Sequence, residues 1–245
     1  MQPTQSMQNT QPTKTTQPTQ PVQPVLKGII FDLDGTLLDT EKYQYLGWVE
    51  VMKTFGVSVS KNDYSKYIGK KGEQIAGEMI KKYGISADRN ELAKKKYELV
   101  KHWFETKKLE LMPFAKESID FFIRKKLNIA LSSGGSKDEV MIKLRSTHLI
   151  NYFNSIVTQN DVNRGKPYPD IYEYTLKKMG LRSENVIVFE DNAIGLEAAK
   201  AAGLKCLVVP HIFSAGQDLS KADGVFKSLK EATEWVDRIF FKQVV

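Results

Sequence analysis

The first apolar run, Lys27 to Phe31, ends in Asp32-Leu33-Asp34-Gly35-Thr36. Two carboxylates two residues apart point to opposite faces of a strand, but where the strand ends and the chain turns, both can face one crevice. Like charges crowded there are costly unless a cation lies between them. Taken alone, the segment is equally an Asp-Gly turn that closes a strand. A second acidic pair, Glu190-Asp191-Asn192, follows the run Val186 to Phe189 with the same placement. Between the two acidic segments, Ser132-Ser133-Gly134-Gly135-Ser136 leads into a helical pattern, where hydroxyls and free backbone N–H groups form an anion site. By itself that segment is also an ordinary Ser N-cap. Gly165-Lys166-Pro167-Tyr168-Pro169-Asp170 braces one lysine between two prolines ahead of another helix. Each signal is weak alone. Four at successive strand ends supply acids for a metal, a hydroxyl and N–H cradle for an anion, and one fixed cation, which is the equipment of phosphoryl transfer.

Elements must exist to bring these segments together. Short apolar runs at Asn128 to Leu131, Ser155 to Thr158, Val186 to Phe189 and Leu204 to Val209 join the first at Lys27, and all read as buried parallel strands. Helical patterns intervene at Phe114 to Arg124, Asp138 to Arg145, Ile171 to Met179, Ile194 to Ala202 and Leu229 to Phe241. This alternation predicts an α/β fold with a doubly wound, mostly parallel sheet. Residues 41–111 break the alternation, with helix-period segments only, around Tyr43 to Phe55, Gly72 to Tyr83 and Glu91 to Trp103. The expected organisation is a core of residues 26–40 and 112–245 with a helical insertion, 41–111, capping the carboxyl ends of the strands, where open α/β sheets bind ligands.

Composition removes several classes. The 245 residues are 41% hydrophobic and 27% charged, ordinary for a globular chain. With Cys206 as the single cysteine, neither an intrachain disulfide nor a cysteine-based zinc site can be built. A reducing, cytoplasmic compartment is the natural expectation. No run of apolar residues is long enough to span a bilayer, so no membrane role is expected. The net charge of +7 raises nucleic acid as a partner. Fifteen Lys/Arg against ten Asp/Glu fall between Glu41 and Glu110, interspersed at helical spacing. That pattern is a solvated helix face or a field that attracts anions, and without an interleaved aromatic platform no nucleic-acid partner is expected. Residues 1–25 are rich in Gln, Pro and Thr, with almost no apolar surface, and are expected to be a disordered extension. His102, His148 and His211 are scattered without metal-ligand spacing and receive no role.

The four segments in this order resemble the haloacid dehalogenase superfamily, and Lys27 to about Val236 is similar to its helical-cap branch. Within it the chain most resembles pseudouridine-5'-phosphatases and sugar-phosphate phosphatases, with β-phosphoglucomutase a close relative. The resemblance implies a Rossmann-like core and Mg2+-dependent hydrolysis of a small phosphorylated metabolite, a nucleoside monophosphate or a sugar or polyol phosphate. It implies that Asp32 is the nucleophile that becomes an aspartyl-phosphate, and that Asp34 is general acid and then general base. Magnesium would be held by Asp32, the main-chain carbonyl of Asp34 and Asp191, with Glu190 joining directly or through water. Ser133, with Gly35, Thr36, Gly134 and the neighbouring N–H groups, would hold the phosphoryl oxygens, and Lys166 would balance charge. Tyr67-Ile68-Gly69-Lys70-Lys71-Gly72 resembles the substrate-specificity loop of related caps, with Lys70 and Lys71 over the cleft, although two solvated lysines read the same way. Tyr43 and Trp48 sit at helical spacing and are expected to pack. A dehalogenase is disfavoured because those enzymes lack the second aspartate and the metal. A mutase shares the core, but has Val where this chain has Thr36 and His where it has Gln44. A non-enzymatic phosphate-binding protein on the same scaffold is the alternative of another class. A cap that closes over its own core can act as a monomer.

Overall fold

A computed structural model describes residues 25–242; apart from Val25, the extension foreseen for residues 1–25 lies outside the described residues. The sheet has six strands in the order β3-β2-β1-β4-β5-β6. They are β1 (Gly28–Phe31), β2 (Asn128–Ser132), β3 (Ser155–Val157), β4 (Val186–Glu190), β5 (Lys205–Val208) and β6 (Gly224–Val225), and every pairing is parallel. Register follows from burial on both faces. Phe31 lies between Leu131 and Phe189, and Ile30 between Ala130 and Val188. Alternate residues serve opposite layers. Ile29, Phe31, Ile129, Leu131, Ile187 and Phe189 pack with α5 (Ala115–Arg124), α6 (Lys137–Ser146) and α9 (Leu229–Phe240). Ile30, Ala130, Val186 and Val188 pack with α7 (Asp170–Met179) and α8 (Ala193–Ala201). Cys206 is buried in this second layer as an apolar filler.

Between β1 and α5 the chain is helical: α1 (Glu41–Lys53), α2 (Lys61–Tyr64), α3 (Gly72–Tyr83) and α4 (Arg89–Thr106). These helices enclose their own apolar cluster, which contains Trp48, Met52, Tyr64, Ile75, Met79 and Leu92. Trp48 and Tyr43 are buried, as their spacing predicted. The cluster also takes in Phe213, from the segment after β5, which meets Tyr45 and Tyr64 at centroid distances of 5.5 and 5.6 Å. His211 stacks on Phe213, and its Nε2 lies 3.2 Å from Asp39 Oδ1.

Several helix starts are fixed by side-chain caps. Asp88 accepts from the N–H groups of Asn90 and Glu91, so α4 begins at Arg89, two residues ahead of the Glu91 that the periodicity indicates. Ser136, Asn192 and Ser228 cap α6, α8 and α9 in the same way. Among α-helices and strands, α2 and β6 have no counterpart in the sequence pattern. Each is too short to carry a period and forms only by docking onto neighbours already in place. Among the described residues no helix is long and apolar enough to cross a membrane.

Candidate active site

All strands point the same way, so their carboxyl ends share one edge, and the loops there carry the residues singled out above. Asp32 follows β1, Ser133 follows β2, Lys166 lies between β3 and α7, and Glu190 closes β4 with Asp191 just beyond. Lys166 Nζ donates to Asp32 Oδ1 and to Glu190 Oε1, each at 2.6 Å, and to the Ser132 carbonyl at 3.2 Å. The Tyr172 hydroxyl, from α7, donates to the same Glu190 oxygen, and the Asp191 N–H reaches the other at 3.3 Å. Carboxylate oxygens of Asp32, Glu190 and Asp191 lie within 4.8 Å of one another, and all three residues are buried.

One oxygen of this group is unprovided for. Asp191 Oδ1 accepts the Asn192 side-chain amide at 2.6 Å, but Oδ2 is buried and accepts nothing. A buried carboxylate oxygen without a partner is expensive, and an oxygen-preferring divalent cation is the chemistry that would satisfy it. Protonation reflects the same excess of acid. Burial, followed by the charges of Asp32 and Glu190, holds the Asp191 carboxyl well above the usual range. Burial likewise raises Asp32, with Lys166 pulling against it and Glu190 adding to it. On Lys166, burial works to remove the proton, and the carboxylates of Asp32 and Glu190 overcome it, so the ammonium is held. Gly35 admits the approach of Asp191. Its φ is +84°, and a Cβ there would collide with Asp191 Oδ2, so no other residue fits the turn.

Asp34 faces the same crevice from a separate set of partners. Its Oδ1 accepts the Thr40 hydroxyl and, at 2.7 Å, Lys143 Nζ. Ser133 Oγ accepts the Gly135 N–H at 3.1 Å, while Gly134 has open space where a side chain would stand. Thr36 is buried with its hydroxyl unpartnered. Above lies a cavity of about 600 Å³, walled below by Asp32, Asp34, Gly134 and Lys166 and above by Glu41, Trp48, Lys70, Lys71 and Lys96. Lys70 is held by Glu78 in an ion pair at 2.9 Å, whereas Lys71 forms no ion pair among the described residues.

Several residues of this crevice were not singled out from the sequence. Lys143 and Tyr172 carried a readable signal. Each falls on the buried stripe of its helix, Lys143 beside Val140 and Leu144, Tyr172 beside Ile171 and Thr175, and a polar head in such a stripe requires a buried partner. Lys96 and Glu41 carried none, because both sit in charged helical segments that look solvated. Burial lowers the Lys96 ammonium to about 8. Burial, helped by the charge of Asp34, raises the Glu41 carboxyl from 4.5 to about 7. The folded state therefore keeps a proton on Glu41 that the unfolded chain loses. Stability from this group is whole below pH 4.5 and declines until the pH passes about 7. Glu41→Gln should unfold at higher urea than the parent at pH 8, by about 2 kcal/mol after allowing for partial solvent contact. The two curves should coincide at pH 4; an equal gap at both pH values would contradict the assignment.

A parallel sheet with a helical insertion behind its first strand, and a lysine buried among acids at its carboxyl edge, defines the haloacid dehalogenase class of α/β enzyme. The chain belongs to the haloacid dehalogenase-like hydrolases, whose family pattern matches residues 29–209. It is similar to the phosphorylated carbohydrates phosphatase of Thermotoga maritima, with 29% identity over 201 residues, covering 82% of this chain and 93% of that protein. It is 26% identical to the probable pseudouridine-5'-phosphatase of Drosophila melanogaster, covering 82% of this chain and 89% of that one. Among solved structures, a putative β-phosphoglucomutase from Thermotoga maritima superposes with a TM-score of 0.71 at 27% identity, covering 87% of this chain and all of the other.

Proposed function

We propose that the chain is a phosphatase of small phosphorylated metabolites, a sugar or polyol phosphate or a nucleoside monophosphate, acting through an aspartyl-phosphate on Asp32 with Mg2+ as cofactor. The observation that carries this reading is the buried Asp32, bonded to Lys166 and set beside the unpartnered Asp191 Oδ2, with Asp34 facing the same cavity. The Asp32 carboxylate attacks phosphorus as the bond to the ester oxygen breaks, and Asp34 gives its proton to the departing alkoxide. Asp34 then takes a proton from water as that water attacks phosphorus, and the acyl-phosphate bond breaks to release phosphate and the Asp32 carboxylate. Ser133, Gly134, Gly35 and Thr36 hold the phosphoryl oxygens, and Lys166 balances the charge that builds between nucleophile and phosphoryl group. Asp32, the main-chain carbonyl of Asp34 and Asp191 would hold the cation. Both oxygens of Glu190 already have donors, so it acts through Lys166 or through water. When bound, the cation neutralises the approach of an anionic carboxylate to an anionic ester.

The relatives' names support a carbohydrate-like leaving group. So does the cavity wall, where Glu41, Gln44 and Lys96 mix donors and acceptors suited to hydroxyls. We read residues 41–111 as a cap joined to the core through Asp39, Thr40 and Leu109 to Met112, with an antiparallel bridge between Leu38 and Leu111 at the junction. Closure would shed bulk water, opening would release product, and Lys70 and Lys71 would meet the substrate's polar groups. A monomer in a reducing, cytoplasmic compartment suits this reading, since the one cysteine is buried and unpaired. The test is phosphate release from p-nitrophenyl phosphate and from a panel of sugar, polyol and nucleoside phosphates, with and without Mg2+. Mg2+-dependent release is expected. No turnover across the panel would return the protein to a phosphate binder, and isomerised glucose phosphate without release would make it a mutase.

A further inference from the structure

The proposed mechanism leaves Lys143, a buried charge of the crevice, unused. Lys143 is 1% exposed, on the face of α6 that carries Val140 and Leu144 into the apolar core. Removing an ammonium from water costs several kcal/mol unless an anion meets it, and a Met or Leu of similar length is commonly as stable in such a place. Packing alone therefore gives no reason for a lysine here. Its head has one hydrogen-bonding partner among the described residues, Asp34 Oδ1 at 2.7 Å. The ring of Phe104, from α4, covers the ammonium at 4.4 Å from its centroid. Burial pulls the proton off Lys143, but the charges of Asp34 and Glu139 more than compensate, so the cation persists.

Geometry at Asp34 gives the pair direction. Thr40, also fully buried, donates to the same Oδ1, so one carboxylate oxygen receives both donors. Oδ2 accepts no hydrogen bond among the described residues and lies on the side of Gly135, whose loop borders the cavity. A carboxylate tethered by one hydroxyl is free to rotate, whereas one held by two donors from different elements is fixed. We propose that Lys143 is a positioning residue for proton transfer: with Thr40 it clamps Oδ1 of Asp34, leaving Oδ2 alone to face the leaving-group oxygen and then the attacking water. This rests on the reading of Asp34 as the acid and base of the reaction.

The experiment compares Lys143→Met and Thr40→Val with the parent, all loaded with Mg2+, on p-nitrophenyl phosphate and phenyl phosphate. Both esters are small, so neither depends on the natural leaving group. Nitrophenolate departs as an anion and needs no proton; phenolate is a much poorer leaving group and gains from one. The ratio kcat/KM reports steps up to cleavage of the ester bond, where the proton is given. Lys143→Met should lower kcat/KM about 100-fold on phenyl phosphate and less than about 3-fold on p-nitrophenyl phosphate. Thr40→Val should show the same selectivity, and the double variant should lose little beyond the worse single one, because one clamp is broken either way. Far-UV circular dichroism checks folding, and if Lys143→Met does not fold, Thr40→Val decides. Equal losses on both esters, or no loss, would overturn the clamp while leaving the phosphatase reading intact. A parent inactive on these esters and across the panel of sugar, polyol and nucleoside phosphates would overturn the phosphatase reading and the clamp with it; if only panel esters are turned over, unchanged kcat/KM of Lys143→Met on them, where an alkoxide must gain a proton, would overturn the clamp alone.

Discussion

Asp32→Asn should give a folded protein that turns over no phosphate ester, with kcat reduced by more than about 10⁴-fold. An amide of the same shape keeps the β1 terminus intact but cannot form the acyl-phosphate, and no other carboxylate in the crevice can replace it. Asp34 is held elsewhere by Thr40 and Lys143, and Glu190 is wrapped by Lys166, Tyr172 and the Asp191 N–H. Stability should hold, because the substitution removes one of three crowded carboxylates while Lys166 keeps Glu190 and the Ser132 carbonyl. The melting temperature of the cation-free variant should therefore match or exceed that of the cation-free parent. A fully active Asp32→Asn protein would end the covalent mechanism.

The second large effect concerns the cation. Dialysis against EDTA should abolish turnover and excess Mg2+ should restore it, whereas Asp191→Asn should stay inactive at any practical Mg2+ concentration. The reason is the buried Asp191 Oδ2, which has no donor and over which Gly35 leaves no room for a side chain. Binding can be read without activity. At a hundred times the dissociation constant, Mg2+ should stabilise the parent by about 2.7 kcal/mol, seen as a rise in melting temperature that Asp191→Asn loses. Burial raises both Asp32 and Asp191, so the cation must displace protons, and its affinity should tighten as pH rises. A melting temperature insensitive to Mg2+ in the parent would contradict the metal assignment.

Much of the crevice was legible because its parts are local. Asp32-Leu33-Asp34-Gly35-Thr36, Ser132 to Ser136, Gly165 to Asp170 and Glu190-Asp191-Asn192 each lie within a few residues of a strand end, and a parallel sheet delivers strand ends to one edge. Lys143 was missed for the opposite reason. It stands 109 residues from Asp34, and although its place on the stripe of Val140 and Leu144 signals a buried partner, nothing local says which one. Lys70 is read from the sequence as a residue over the cleft; it lines the cavity but is tied to Glu78, eight residues on, in α3.

The chain's own order of residues determined the α/β class, the helical interruption after the first strand and the family resemblance, since each follows from periodicity or from a short contiguous pattern. Tertiary structure alone decided the pairing of Lys166 with both Asp32 and Glu190, the clamp on Asp34, the entry of Phe213 into the helical insertion's core, and the existence of β6. Those features are contacts between distant segments, stabilised by burial that no local window contains, so they become definite only when packing removes water from between them.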